Sequence, residues 1–96
     1  MNVIWKKELL IQDTQTVALP SGAEILYARE QKTSDPDIID NICIWFRCES
    51  SANNKNRTIA IIGTGHPCPG REGRYLGSAH LNNDTLIFHV FEMLNG

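Results

Sequence analysis

The chain has 96 residues, with nine basic and eleven acidic side chains and a net charge of −2, so it is one domain with one core and little spare pocket volume. The charge balance lacks the basic face that duplex DNA demands, without excluding a local cationic loop. An apolar fraction of 42% against 21% charged residues excludes a disordered chain, and the apolar runs fall far short of the roughly 20 residues that span a bilayer.

In chain order, Val3 to Ile11 reads as a strand, with Val3, Trp5, Leu9 and Ile11 on one face and Lys7 interrupting it. That broken alternation suits an edge strand, or one wetted on one side. Gln12–Thr14 is a turn, and Gln15 to Leu19 is a second strand ended by Pro20-Ser21-Gly22. Ala23 to Gln31 reads as a third strand, with a short helix as the rival because Ala-Glu-Ile-Leu has good helical propensity. Lys32 to Asn41 is polar, and Asp35 is placed to cap a single helical turn starting at Pro36.

Ile42 to Cys48 has the pattern of a central strand. Ile42, Ile44, Phe46 and Cys48 share one face, and Cys43, Trp45 and Arg47 the other. Both faces are largely apolar, which predicts cover on both sides. Glu49 to Asn56 reads as a polar loop, and Arg57 to Ile62 as the strand that follows. Gly73 to His80 is a short strand, with Gly77 marking a bulge. Leu81 to Asp84 is a hairpin turn leading into the final strand, Thr85 to Leu94. There Leu86, Phe88 and Val90 oppose Ile87, His89 and Phe91.

These elements predict an all-β domain: a small antiparallel sandwich or partly open barrel of about seven short strands, with at most one short helical turn. Its exposed strand edges make a homodimer through strand pairing an expectation.

Between two of the strands lies the densest special chemistry, Gly63-Thr64-Gly65-His66-Pro67-Cys68-Pro69-Gly70, followed by Arg71 and Arg74. Glycines there let successive amides turn toward one point. With Thr64, His66, Arg71 and Arg74 they form a candidate rim for a phosphate or carboxylate. The competing reading is a tight exit from the strand, with glycines for steric reasons. No Gly-Lys-Ser/Thr follows, and no helix lends its dipole, so this is not a P-loop. His66, ahead of Pro67, is biased to an extended backbone. It is either a ligand donor and acid–base group or a residue bonded to its own loop. His89, mid-strand, reads as a satisfied core histidine and His80 as exposed.

The cysteines number three. An odd count with no secretory signal favours reduced thiols. Cys43 and Cys48 fall on opposite strand faces, and no pair has ligand spacing, so no metal site is expected. Cys68 lies between two prolines with nothing to activate it, and no catalytic residue or cofactor is assigned. Trp5 or Tyr75 would offer a stacking surface if either faced the glycine loop.

Four pieces of the chain resemble, in order, a family of small uncharacterised proteins common in bacteriophage genomes. They are Ile4-Trp5-Lys6; the stretch from Gln15 through Val17, Leu19-Pro20 and Gly22-Ala23 to Ile25-Leu26; Gly63-Thr64-Gly65-His66-Pro67; and Phe88-His89-Val90-Phe91-Glu92. The last two are the specific ones, and the longer polar middle of this chain departs from the pattern. The resemblance implies a phage origin and a life in the cytoplasm of the bacterial host, and it carries no established activity. The expected function is that of a non-enzymatic binding protein. It would counteract host defence by sequestering a nucleotide-derived anionic ligand on Gly63, Thr64, Gly65, His66, Arg71 and Arg74. The alternative is an inhibitor that binds a host protein through a strand edge or the polar 49–57 segment, with no small ligand. Hydrolytic or lyase chemistry through His66 ranks third. Neither duplex DNA nor a membrane is an expected partner.

Overall fold

A computed structural model describes residues 1–35, 37 and 40–94. Its strands are β1 (Asn2–Leu9), β2 (Thr14–Pro20), β3 (Glu24–Gln31), β4 (Asn41–Glu49), β5 (Asn54–Gly63), β6 (Glu72–Leu81) and β7 (Leu86–Met93). All pairings are antiparallel. One sheet has the order β1-β4-β3 and the other β2-β5-β7-β6. The two face each other as a sandwich and do not close into a barrel. The stretch with good helical propensity, Ala-Glu-Ile-Leu, is strand β3, because its alternate residues Ile25, Ala28 and Glu30 are needed in the interior across the bulge at Leu26. The helical turn expected at Pro36 falls outside the described residues. No helix among the described residues is long and apolar enough to cross a membrane.

The core is the interleaving of the two inner faces. Ile42, Ile44, Phe46 and Cys48 of β4 and Ile25 and Ala28 of β3 meet Val17 and Leu19 of β2, Ile59 and Ile61 of β5 and Val90 of β7. Each large aliphatic buried here contributes about 1.5–3 kcal/mol relative to exposure. The edge strand β1 explains its own broken alternation: Trp5 and Lys7 lie in register with inward residues Phe46 and Ile44 but remain exposed.

Two sequence expectations are corrected. The loop expected over Glu49–Asn56 is confined to residues 50–53, because Asn54, Lys55 and Asn56 pair with Pro20, Leu19 and Ala18. Backbone pairing, not side-chain burial, makes that polar stretch a strand. Nor is β4 covered on both sides by other elements. Among the described residues, its outer face carries only its neighbours: Trp45 stacks on Tyr27 at 5.0 Å and 13°, and Cys43 Sγ lies 3.8 Å from Gln31 Oε1.

The sheets are tied at two places. Where β3 meets β6, Gly77 sits at φ 145° beside a register shift. A Cβ on it would stand 2.3 Å from the carbonyl oxygen of Ala28. Nearby, the carboxylate of buried Glu30 accepts the His80 backbone N–H at 2.9 Å. Elsewhere, half-buried Arg57 of β5 forks onto Glu92 of β7 and donates from Nη1 to the Ala23 carbonyl at 2.9 Å. Two parallel charged hydrogen bonds with a third to backbone satisfy a guanidinium that burial would otherwise penalise.

Candidate functional site

Strand β5 delivers the glycine loop to the rim of the four-stranded sheet, with Gly63 in register with Phe88 of β7. The His66 N–H then donates to the Gly63 carbonyl at 3.0 Å. Between them Gly65 takes φ 87°. A positive φ at the third residue of a four-residue reversal is the mark of a type II turn, which calls for glycine there. The turn brings His66 back over Gly63, where a Cβ would stand 3.3 Å from Nδ1. Pro67, Cys68 and Pro69 carry the chain onward in the open, all exposed.

Thr64 pins the turn to the sheet. Its N–H and its hydroxyl both donate to the Ile87 carbonyl, at 3.1 and 3.3 Å. Its oxygen also lies 2.9 Å from His89 Nε2. On the other side of the ring, His89 Nδ1 is 3.1 Å from the Tyr75 hydroxyl. Tyr75 in turn packs edge-on against Phe91 at 5.1 Å and 69°. All of this lies on the outer face of the four-stranded sheet, since Ile62 and Ser78 flank His89 in register. His89 is therefore not the core histidine expected from its place in the strand. It is half-buried on the outer face, and of the two bonds expected for it, to a backbone carbonyl or to a partner strand, it makes the second, to Tyr75 of β6, together with one to Thr64.

Beside the turn is a cleft of about 280 Å³ lined by Asp13, Ile61, Ile62, Gly63, His66, Pro67, Cys68 and Pro69. A larger hollow of about 590 Å³ lies elsewhere, over Leu81, Leu86 and Phe88. It is rimmed by three carboxylates, Asp35, Asp37 and Asp40, against the single one among the described residues, Asp13, that lines the smaller cleft with His66. Among the described residues no three His, Cys, Asp or Glu side chains are arranged to hold a metal ion. Cys68 is the exposed thiol, whereas burial pushes the Cys43 thiol above its usual range.

Of the residues singled out in the sequence, the structure brings Gly63, Thr64, Gly65 and His66 into one turn. Arg71 lies past the prolines at φ 65°, its carbonyl accepting the Leu94 N–H at 2.8 Å. Arg74 stands apart. It is in register with Glu92, four residues along β7 from the Phe88 that meets Gly63, a distance of roughly 13 Å on an extended strand. Its charge is felt instead at Glu24, whose carboxyl is held below the usual range chiefly by a hydrogen bond and the charge of Arg47, with Arg74 adding to them. Sequence reasoning missed His89 as part of this site. The usable signal was its alternation with Ile87 and Phe91, which put it on one face without saying which face was open.

A family model, described as a domain of unknown function (DUF7352), matches residues 1–96, and the chain belongs to that family. No curated protein and no solved structure matches it.

Proposed function

We propose that this protein is a phage-encoded, non-enzymatic binding protein that withdraws a nucleotide-derived anionic ligand from a host defence response in the bacterial cytoplasm. The observation that carries the reading is the Gly63–His66 turn. It is an exposed reversal with Gly65 at positive φ, held rigid by Thr64, and it opens beside a cleft sized for a small ligand. A turn fixed before the ligand arrives need not be ordered on binding, which lowers the entropic cost of capture. The phage setting is supported by the resemblance of the Gly-Thr-Gly-His-Pro and Phe-His-Val-Phe-Glu pieces. Arg71 and Arg74, anchored beside Leu94 and, on β7, Glu92, contribute charge only to a ligand long enough to reach along the sheet from the turn.

A second reading has its own observation. The outer face of the three-stranded sheet exposes Ile4 (61%) and Tyr27 (43%) beside Trp45, a surface suited to inhibiting a host protein with no small ligand.

A thermal-shift screen against mono-, di- and cyclic nucleotides and ADP-ribose, run beside His66→Ala, separates the two. Capture predicts a stabilisation of about 2.7 kcal/mol at a hundredfold excess over Kd, lost in His66→Ala without loss of the fold. A screen in which nothing shifts the transition overturns the capture reading and transfers the weight to the three-stranded face. A change in the mass of the ligand would instead mean turnover.

A further inference from the structure

The two specific motif pieces, Gly63–Pro67 and Phe88–Glu92, are joined by the contact of Thr64 with His89. With Tyr75 the row has the outline of a nucleophile, a base and an orienting group. Its protons run the other way. The Ile87 carbonyl can only accept, and the Thr64 hydroxyl donates to it. Thr64 Oγ1 therefore accepts from His89 Nε2–H, which leaves Nδ1 to accept from the Tyr75 hydroxyl. This order turns three contacts into three hydrogen bonds; the reverse order leaves the Thr64–Ile87 contact without a proton. Thr64 is thus not a nucleophile primed by His89.

We infer that Tyr75 and His89 belong to the ligand site and that a phosphate group bound at the glycine turn is recognised together with a proton taken up by His89. The inference rests on the capture reading above. When His89 gains a proton from solvent, Nδ1 becomes a donor and the Tyr75 oxygen accepts from it. The hydrogen of Tyr75 is then released from the ring and turns outward from a phenol that is 50% exposed. The same event puts a positive charge on the outer face and adds a donor to it, while Nε2–H continues to hold Thr64. A phosphate or pyrophosphate oxygen has the acceptor capacity and charge for that face. The other titratable groups near it include Asp13 and Cys68, which line the cleft beside the turn with His66. His80 lies along β6, bonded to Ser78 Oγ at 3.2 Å and 3.4 Å from Asp84. Glu72 accepts the Gly70 N–H at 2.9 Å, and His66 stands over Gly63.

The linkage has a definite sign. Ligand binding favours protonated His89, so binding tightens as pH falls through the histidine range. It weakens as pH rises through that range, by a total factor set by the rise in the His89 midpoint, about threefold for a rise of about 0.5 unit.

The test is NMR of the uniformly 15N-labelled full chain, titrated from pH 5 to 8 with and without sodium pyrophosphate, in wild type, His66→Ala, His80→Ala and Tyr75→Phe. Neutral His89 should be the Nε2–H tautomer. Pyrophosphate should shift the Gly65 amide and raise the His89 midpoint by about 0.5 pH unit or more, equivalent to roughly threefold tighter binding to the protonated form. Tyr75→Phe should keep the Gly65 shift but lose the rise in midpoint, and His66→Ala and His80→Ala, which each remove one of the other two imidazoles, together assign the remaining signal to His89. An Nδ1–H tautomer overturns the inference. So does a Gly65 shift with an unmoved His89 midpoint, which would leave capture at the turn standing. A Gly65 amide that does not respond at all defeats both.

Discussion

The corner where β3 meets β6 and the turn that ends β5 both depend on a glycine at positive φ, and they use it for opposite ends. At Gly77 the backbones are pressed together, and any Cβ would enter the Ala28 carbonyl at 2.3 Å. At Gly65 a Cβ would meet nothing within 4 Å. Close approach requires glycine at the corner, and conformation alone requires it at the turn. The first builds a seam between two sheets, and the second holds a reversal open to solvent. A glycine in a β protein therefore has two separable meanings, told apart by what surrounds the missing side chain.

The largest expected effect is at the seam. Gly77→Ala combines a strained φ with a clash against backbone that cannot swing away. The loss should be on the order of 4 kcal/mol, in the range reserved for severe core defects. For a domain of this size that lowers Tm by roughly 20 °C, measurable by calorimetry. A variant that melts within a few degrees of wild type would mean that the sheets are not pressed together there. Next to it, Glu30→Ala removes the acceptor of the His80 N–H from a residue only 8% exposed. An orphaned buried donor costs about 1–3 kcal/mol. Glu30→Gln keeps an acceptor oxygen and should recover much of that loss in urea unfolding. Hydrogen exchange at the His80 amide should quicken in the alanine variant and stay slow in the glutamine one. Equal exchange in both would remove Glu30 from the seam.

The seam was partly legible before any coordinates. Gly77 interrupting a short strand pointed to a bulge, and the register shift between Tyr75 and Gly77 is that bulge. The alternation of Ile42, Ile44, Phe46 and Cys48 identified the inner face of β4 directly. What alternation cannot tell is which strands share a sheet, and so which faces receive cover. Trp45 and Cys43 looked like a second buried face because apolar residues read alike whether a layer or a neighbouring side chain shields them. The same gap hid the site. His89 meets partners 25 and 14 positions away in sequence, and that meeting arises from the registers of β5 and β6 on β7. The loop itself was conspicuous in composition, but the register that separates Arg74 from it was not readable from the spacing of the two arginines.

The smallest effect sharpens the comparison most. At Gly65 the only penalty of a side chain is the left-handed backbone, about 1–2 kcal/mol for an ordinary L-residue. Asparagine tolerates that region better than alanine, and β-branched valine tolerates it worst. Stability should therefore fall in the order Gly, Asn, Ala, Val at position 65, with Gly65→Asn within about 1 kcal/mol of wild type by denaturant unfolding. At position 77 the same series should show no rescue by asparagine, because the obstacle there is the Ala28 carbonyl and not the dihedral. If asparagine fails as badly as valine at position 65, something crowds the turn and the open reversal is lost as a binding rim. If it holds, Gly65→Asn becomes the cleaner probe of capture. It leaves the turn folded and places a side chain where a ligand phosphate would approach the backbone amides, so nucleotide binding should weaken while the unfolding midpoint barely moves.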